Sequence, residues 1–225
     1  MGKETSKRIQ TSILNGMEKK VLVWLAQRQP KWMTSDALTY IGVLGAGMYM
    51  LGGWLSGRNI NWLWLASFGL FIHWYGDSLD GTLARVRNAQ RPVYGFFIDH
   101  TLDAVTTCMI FWGAGLSPLF RMDVALFILA GYLCLSIYTY ICTILKGEFR
   151  LTYGYMGPTE FRLLLILINT LYIYVPCIQQ QYHLWGYGLG ILDIIGLFVG
   201  SVLFLAYLCQ FVKDKRLFSV QDSLK

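Results

Sequence analysis

The chain has 225 residues, of which 55% are hydrophobic, and it carries a formal net charge of +6. A composition this apolar excludes an ordinary soluble domain and indicates an integral membrane protein. Long apolar stretches, rather than short alternating segments, also exclude a transmembrane β-barrel, so we expect an all-α protein.

The N-terminal segment, residues 1–33, has the pattern of an amphipathic juxtamembrane helix. Apolar residues recur at helical spacing over residues 6–28, and basic residues lie between them. Such a helix is suited to lie at the interface with an anionic membrane, and it is equally suited to pack on its own protein. Pro30 ends it.

Six apolar segments follow, and we interpret each as a transmembrane helix. They are residues 37–55, 60–79, 94–115, 124–145, 161–175 and 187–212. The chain is therefore predicted to contain a six-helix transmembrane catalytic domain at 34–213, followed by a cytoplasmic tail at 214–225.

The basic residues predict how the six spans are oriented. Of the 19 lysines and arginines, 17 fall on one side: seven before the first span, three between the second and third, three around the start of the fifth and four at the C-terminus. The other side has Arg58 and Arg121. Because positive loops remain in the cytoplasm, both termini and the connection between the second and third spans are predicted to be cytoplasmic. We expect the membrane to be the inner membrane of a bacterial cell.

Four aspartates are concentrated in a 27-residue stretch that joins the second and third spans. Asp77 and Asp80 are three residues apart and Asp99 and Asp103 are four apart, so each pair shares one face of a helix. Clustered carboxylates repel one another unless a cation neutralises them, and oxygen ligands suit Mg²⁺ or Mn²⁺. The stretch therefore predicts a site for two metal ions.

Small residues and one arginine accompany these carboxylates. Gly81 and Gly95 allow a phosphate to approach the backbone closely, and Ala84 keeps the same face open. Arg85 is a natural partner for phosphate oxygens. Carboxylate-bound metals beside an arginine suit phosphoryl transfer, in which one carboxylate accepts a proton from the attacking hydroxyl.

At these residues the chain resembles the CDP-alcohol phosphotransferase family, also called the CDP-alcohol phosphatidyltransferases. The signature D-x2-D-G-x2-A-R, a spacer and G-x3-D-x3-D is met at every fixed position of residues 77–103. The spacer, residues 86–94, has nine residues and is longer than the family usually has. A weaker similarity covers residues 35–39, where the family often has P-N-x-x-T and this chain has Thr39.

The resemblance implies transfer of a phosphatidyl or phosphoaminoalcohol group from a CDP-alcohol to an acceptor hydroxyl, with release of CMP, in phospholipid biosynthesis. It implies a homodimer among membrane lipids, whose site opens to the cytoplasm. The implied metal ligands are Asp77, Asp80, Asp99 and Asp103, and Asp103 is also the implied general base. Gly81, Ala84 and Arg85 are expected to contact the cytidine diphosphate portion, with Thr39 nearby.

Three further residues have more than one interpretation. Arg162, at the cytoplasmic start of the fifth span, is a candidate for binding the acceptor or for a surface ion pair. His73 lies one helical turn before Asp77 and is a candidate for orienting it, or for packing. His100 stands within D-H-x-x-D, which resembles the D-H-G-x-D of the eukaryotic aminoalcohol phosphotransferases. It points away from Asp99 on a helix, so the alternative is a packing role or a supporting role behind the metal ligands.

Two other functions use similar residues. A membrane prenyltransferase also grips a diphosphate with aspartate-bound Mg²⁺, but it would have two separated motifs. A cation transporter would place its carboxylates near broken helices at the midplane. Within the favoured family, the donor is either CDP-diacylglycerol, with a polar alcohol as acceptor, or a CDP-aminoalcohol, with diacylglycerol as acceptor. No nucleic-acid partner is expected.

Overall fold

The computed structural model describes residues 7–9, 14–146, 148–150, 157–184 and 187–223. Seven α-helices make up most of this part of the chain: α1 (Asn15–Arg28), α2 (Ser35–Ser56), α3 (Leu63–Val86), α4 (Pro92–Leu116), α5 (Met122–Lys146), α6 (Pro158–Tyr174) and α7 (Ile191–Ser223).

Two pairs of short strands lie outside the helices. Strand β1 (Lys7–Ile9) pairs in parallel with β2 (Glu148–Arg150). Strands β3 (Gln181–Leu184) and β4 (Tyr187–Gly190) pair antiparallel before α7. Two 3₁₀ turns, Ile60–Trp62 and Pro176–Gln179, precede α3 and β3.

The all-α prediction is confirmed, while several boundaries were wrong. Helix α1 begins at Asn15 rather than at residue 6, since Lys7–Ile9 is a strand; residues 6 and 10–13 lie outside the described part. The last helix begins at Ile191 rather than at 187, because Tyr187–Gly190 pairs with β3. Helix α3 continues to Val86, so that both of its aspartates lie inside a helix.

Within the part of the chain that the structure describes, three helical segments are long and apolar enough to cross a membrane: Ser35–Ser56, Met122–Leu145 and Ile191–Val220. Helix α6 is shorter, with 17 residues. Helices α3 and α4 are long enough but carry the aspartates, and charged residues lower the hydropathy of a segment. Helices α3, α4 and α6, which fall short of this criterion, carry the four aspartates and Arg162.

Helix α2 packs most extensively against α3, and glycines make this contact close. A Cβ atom on Gly45 would collide with the backbone of His73, and one on Gly76 would collide with the backbone of Gly42. Because lipid provides little hydrophobic drive between helices, small residues that let backbones approach are a main source of packing energy there. We call this contact, formed by Gly42, Gly45, Gly52, Gly69 and Gly76, the glycine interface.

Helix α2 also contacts α4 through glycines. A Cβ atom on Gly53 would collide with the carbonyl group of Gly113, and one on Gly113 would lie 2.7 Å from the Cα atom of Met50. Tyr49 is 1% exposed and packs with Ile110 of α4 in the buried core. Helix α2 therefore packs against both helices that carry aspartates.

Helix α1 packs on the body of the protein with one face. Leu22 and Ala26 are buried with Leu79 and Leu83 of α3. The Glu18 carboxylate accepts hydrogen bonds from Trp74 Nε1 at 2.8 Å and from Thr159 Oγ1 at 2.6 Å. The opposite face exposes apolar side chains, namely Met17, Val21 and Trp24.

The glycine interface predicts that two neighbouring glycines respond in opposite ways to substitution. Gly45→Ala should lower the melting temperature of the purified protein in detergent, because overpacking costs about 1–3 kcal/mol. Gly47→Ala is the matched control, since a Cβ atom there has no neighbour within 4 Å, and alanine is the better helix former. If both variants melt at the wild-type temperature, the glycine interface is not a close contact.

Candidate active site

Three of the four predicted carboxylates converge where α3 ends and α4 begins. One carboxylate oxygen from each of Asp77, Asp99 and Asp103 lies within 4.8 Å of the other two. The carboxylates border a small cavity lined also by α2 residues, including Thr39 and Gly42. The i,i+4 spacing on α4 and the close approach of α2 thus combine to build an oxygen cluster.

Asp80 lies outside this 4.8 Å group and forms hydrogen bonds with α2 and with its own helix. Its Oδ2 atom accepts a hydrogen bond from Thr39 Oγ1 at 2.7 Å, and its Oδ1 atom accepts one from the Gly81 amide. The Asp80 carbonyl accepts a hydrogen bond from Ser35 Oγ at 2.7 Å. The residues resembling P-N-x-x-T therefore contact the aspartate motif directly.

The oxygen cluster contains the donors that a divalent metal requires. Three carboxylates supply only oxygen ligands, with no cysteine or histidine among them, and this chemistry fits a hard cation such as Mg²⁺ or Mn²⁺. The residues present in this structure therefore fit a divalent-metal site, to which Asp77, Asp99 and Asp103 could each offer one oxygen.

Arg162 lies against this cluster rather than at the surface. It is 7% exposed, and its Nη2 atom forms an ion pair with the Asp77 carboxylate. The same nitrogen lies 3.2 Å from Nε2 of His73, whose Nδ1 atom lies 3.0 Å from the Gly42 carbonyl oxygen. The alternative of a surface ion pair is thus wrong in its location, since Arg162 is itself buried and its partner is the half-buried Asp77 carboxylate.

The small residues of the motif line an accessible surface beside the carboxylates. Gly81 and Ala84 are half-buried, and Arg85 is exposed, with Nη2 donating to Thr82 Oγ1 at 2.9 Å. A Cβ atom on Gly95 would have no neighbour within 4 Å. This face leaves room for a substrate to approach the helix backbone.

The connection from α3 to α4 is tied to the loop before α2. Arg87 donates to the backbone carbonyls of Gln29, at 3.1 Å, and Pro30, at 2.9 Å. Arg91 forms an ion pair with Asp36 at the start of α2. The spacer, although longer than usual for the motif, is therefore anchored at two points.

His100 packs among aromatic rings. Its ring stacks on Phe96 with 4.1 Å between centroids and meets Tyr140 of α5 edge-on at 5.2 Å. Its Nδ1 atom lies 2.9 Å from the Phe96 carbonyl oxygen and 3.7 Å from Asp99 Oδ2. These contacts support the packing interpretation of this residue.

Sequence reasoning missed the glycines that bring the site helices together. Gly45 and Gly52 are seven residues apart on α2, as are Gly69 and Gly76 on α3. A seven-residue spacing keeps small residues on one face of a helix, so this repeat in the sequence could have predicted a close contact between the two helices.

A sequence model of the family described as CDP-alcohol phosphatidyltransferase matches residues 32–205. This match covers most of the chain and includes the whole aspartate motif, so the chain belongs to that family.

Similar proteins include two kinds of enzyme, cholinephosphotransferases and a phosphatidylinositol phosphate synthase. The chain is 24% identical to cholinephosphotransferase 1 of Gallus gallus over 197 residues, 80% of this chain and 56% of the relative. It is 25% identical to the Danio rerio protein of that name, over 84% of this chain and 51% of the relative. It is 34% identical to phosphatidylinositol phosphate synthase of Cutibacterium acnes over 84 residues, 37% of this chain and 38% of that protein. The chain thus spans about half the length of these cholinephosphotransferases.

The oxygen cluster predicts specific loss of cation binding when one ligand is removed. Asp99→Asn should raise the Kd for Mn²⁺ by at least about tenfold, since even the partners of metal ligands contribute about 10–100-fold. Its side chain is 43% exposed, so the substitution should not disturb folding.

Asp123→Asn provides the control for this measurement, because Asp123 pairs with Arg121 near the opposite ends of the helices and is 65% exposed. Mn²⁺ binding can be followed by electron paramagnetic resonance of the purified protein. Equal Kd values for Asp99→Asn and Asp123→Asn would show that the cation binds elsewhere.

Proposed function

We propose that this protein transfers a phospho-alcohol group from a CDP-alcohol to an acceptor hydroxyl and releases CMP, as a step in phospholipid biosynthesis. The convergence of Asp77, Asp99 and Asp103 beside the open face of the D-x2-D-G-x2-A-R motif carries this proposal. Membership of the CDP-alcohol phosphatidyltransferase family supports it.

The four aspartates differ in their proposed roles. Asp77, Asp80, Asp99 and Asp103 would hold two divalent ions, Mg²⁺ or Mn²⁺, which neutralise diphosphate charge and stabilise the leaving group. Asp103 accepts the proton of the acceptor hydroxyl. At the same time the oxygen of that hydroxyl forms a bond to the donor phosphorus that carries the alcohol to be transferred. The bond from that phosphorus to the bridging oxygen breaks, and CMP leaves.

The surrounding residues bind the substrates in this proposal. Gly81, Ala84 and Gly95 admit the diphosphate, and Arg85 donates to its oxygens. Thr39 holds Asp80 and faces the same cavity. The Nη1 atom of Arg162 is buried and has no hydrogen-bond partner among the described residues, so this nitrogen can donate to the acceptor alcohol.

We further propose that α2 to α7 all span the membrane and that the site faces the cytoplasm, in a bacterial cell at the inner membrane. The 17-to-2 division of basic residues supports this orientation. Helix α1 lies at the membrane interface, since Met17, Val21 and Trp24 face outward opposite its buried face. The functional unit is a homodimer, as the family resemblance implies. Residues 1–33 thus form the juxtamembrane segment, 34–213 the catalytic domain and 214–225 the tail.

The test of this function is CMP release from purified protein supplied with Mg²⁺ or Mn²⁺. CDP-diacylglycerol is offered with a panel of polar alcohols, and CDP-choline and CDP-ethanolamine are offered with diacylglycerol. CMP should appear in one of these two arms only when both donor and acceptor are present, and excess EDTA should abolish it. A membrane prenyltransferase or a cation transporter would release no CMP in either arm.

Asp103→Asn should separate the general base from the metal ligands. We expect kcat to fall about 10²–10⁴-fold, the usual contribution of a general base, while CDP-alcohol binding is retained better than in Asp77→Asn. Turnover and donor binding are measured on the same preparations. Near-normal turnover of Asp103→Asn would assign the base to another group.

The proposed topology predicts which loops an impermeant thiol reagent reaches. In a background lacking the five native cysteines, a cysteine replacing Asn88 should be labelled only from the cytoplasmic side. A cysteine replacing Asn59, before α3, is the matched control and should be labelled only from outside. Labelling of the Asn88→Cys protein from outside intact cells contradicts the topology.

A further inference from the structure

A chain of buried polar contacts joins α2, α3 and α6 behind the oxygen cluster. The Gly42 carbonyl oxygen lies 3.0 Å from His73 Nδ1, and His73 Nε2 lies 3.2 Å from Arg162 Nη2. The same Arg162 nitrogen donates to Oδ2 of Asp77. His73 is 4% exposed and Arg162 is 7% exposed, so these contacts form away from bulk solvent.

The partners of His73 determine which of its nitrogens carries hydrogen. A guanidinium only donates hydrogen bonds, so Nε2 must be the acceptor facing Arg162. A backbone carbonyl only accepts, so Nδ1 must carry the hydrogen that faces Gly42. His73 is therefore a neutral imidazole in the Nδ1–H tautomer. Its acceptor nitrogen is occupied, which leaves it as neither a metal ligand nor a proton acceptor.

Arg162 uses one nitrogen for both of its contacts. The two hydrogens of Nη2 are directed to His73 Nε2 and to Asp77 Oδ2, while Nη1 has no partner among the described residues. These contacts fix the rotation of the Asp77 carboxylate, because one of its oxygens accepts from the Arg162 guanidinium. The guanidinium is itself fixed by His73, which contacts the Gly42 carbonyl oxygen of α2. This leaves the second oxygen for the cluster.

We propose that His73 and Arg162 are positioning residues, which hold Asp77 so that it offers a single oxygen to the cation shared with Asp99 and Asp103. This inference rests on the proposed function, in which Asp77 is a metal ligand. It also explains why the close contact at Gly42 matters, since the carbonyl that holds His73 belongs to the glycine interface.

Two amide substitutions of His73 separate positioning from packing without changing the charge. His73→Gln places an amide oxygen near the position of Nε2, where it can accept from Arg162. His73→Asn places its amide near Nδ1, where it can donate to Gly42 but does not reach Arg162. We expect His73→Asn to raise the Kd for Mn²⁺ by about tenfold or more and His73→Gln to remain closer to wild type.

The melting temperatures of the two variants, measured in detergent, complete this comparison. If both variants lose Mn²⁺ affinity and thermal stability equally, His73 only packs and the proposal is overturned. Wild-type affinity in both variants, or better binding by His73→Asn than by His73→Gln, overturns it as well.

The tautomer can also be read from the unsubstituted protein. The chain has three histidines, and ¹⁵N-histidine labelling therefore gives few signals to assign by nuclear magnetic resonance. His100 also has its Nδ1 atom facing a backbone carbonyl oxygen, that of Phe96, so the signals of His73 are identified as those that remain in His100→Gln and are absent from His73→Gln. The His73 imidazole should show a protonated Nδ1 and an unprotonated, hydrogen-bonded Nε2. If its Nε2 is protonated, the contact with Arg162 does not exist.

These readouts also distinguish this inference from the proposed function. Mn²⁺ affinity is measured without turnover, so a wild-type protein that binds Mn²⁺ and releases no CMP refutes the proposed reaction alone. If the wild-type protein releases CMP and both His73 variants bind Mn²⁺ with wild-type affinity, only the positioning role is refuted.

Discussion

The close approach of α2 to both aspartate helices is the constraint on which the site depends. Glycine at 42, 45 and 76 allows the backbones of α2 and α3 to touch, and the pair Gly53 and Gly113 does the same for α2 and α4. A larger residue at these positions would move the helices apart. Thr39 would then no longer reach Asp80, and the carbonyl of Gly42 would no longer reach His73.

This packing brings like charges together where they are unfavourable. One oxygen from each of three carboxylates lies within 4.8 Å of the other two, and Arg162 forms an ion pair with one of these carboxylates, that of Asp77. An unbalanced group of carboxylates is retained in a membrane protein when it has a function. A divalent cation removes the imbalance, and the same cation is what a diphosphate substrate requires for its own charge. One divalent cation would therefore both reduce the repulsion among the carboxylates and serve the proposed reaction.

Much of this arrangement was predictable from the sequence because its signals are local. The spacings of Asp77, Asp80, Asp99 and Asp103 place each pair on one helical face whatever the tertiary structure, and apolar length indicates the helices. The contact of Arg162 with Asp77 was not predictable, because it depends on how α6 packs against α3. The hydrogen bond between Asp80 and Thr39 was not predictable for the same reason, since Thr39 belongs to α2.

The predicted helix boundaries were wrong where residues pair as strands, because hydropathy carries no information about strand pairing. The residues of Tyr187–Gly190 are apolar enough to extend a span, yet they pair as a strand with Gln181–Leu184. At the other end of the chain, residues with helical periodicity include Lys7–Ile9, which pairs with Glu148–Arg150 far along the sequence. Strand pairing between distant segments is set by tertiary contacts rather than by local pattern.

We expect carboxylates from α3 and α4 to hold one cation between them. Anomalous diffraction from crystals grown with Mn²⁺ can test this arrangement, since the anomalous signal locates manganese without reference to activity. We expect a peak within bonding distance of oxygens from Asp77, Asp99 and Asp103 together. A peak bound by other residues, or no peak at this cluster in crystals saturated with Mn²⁺, would contradict it.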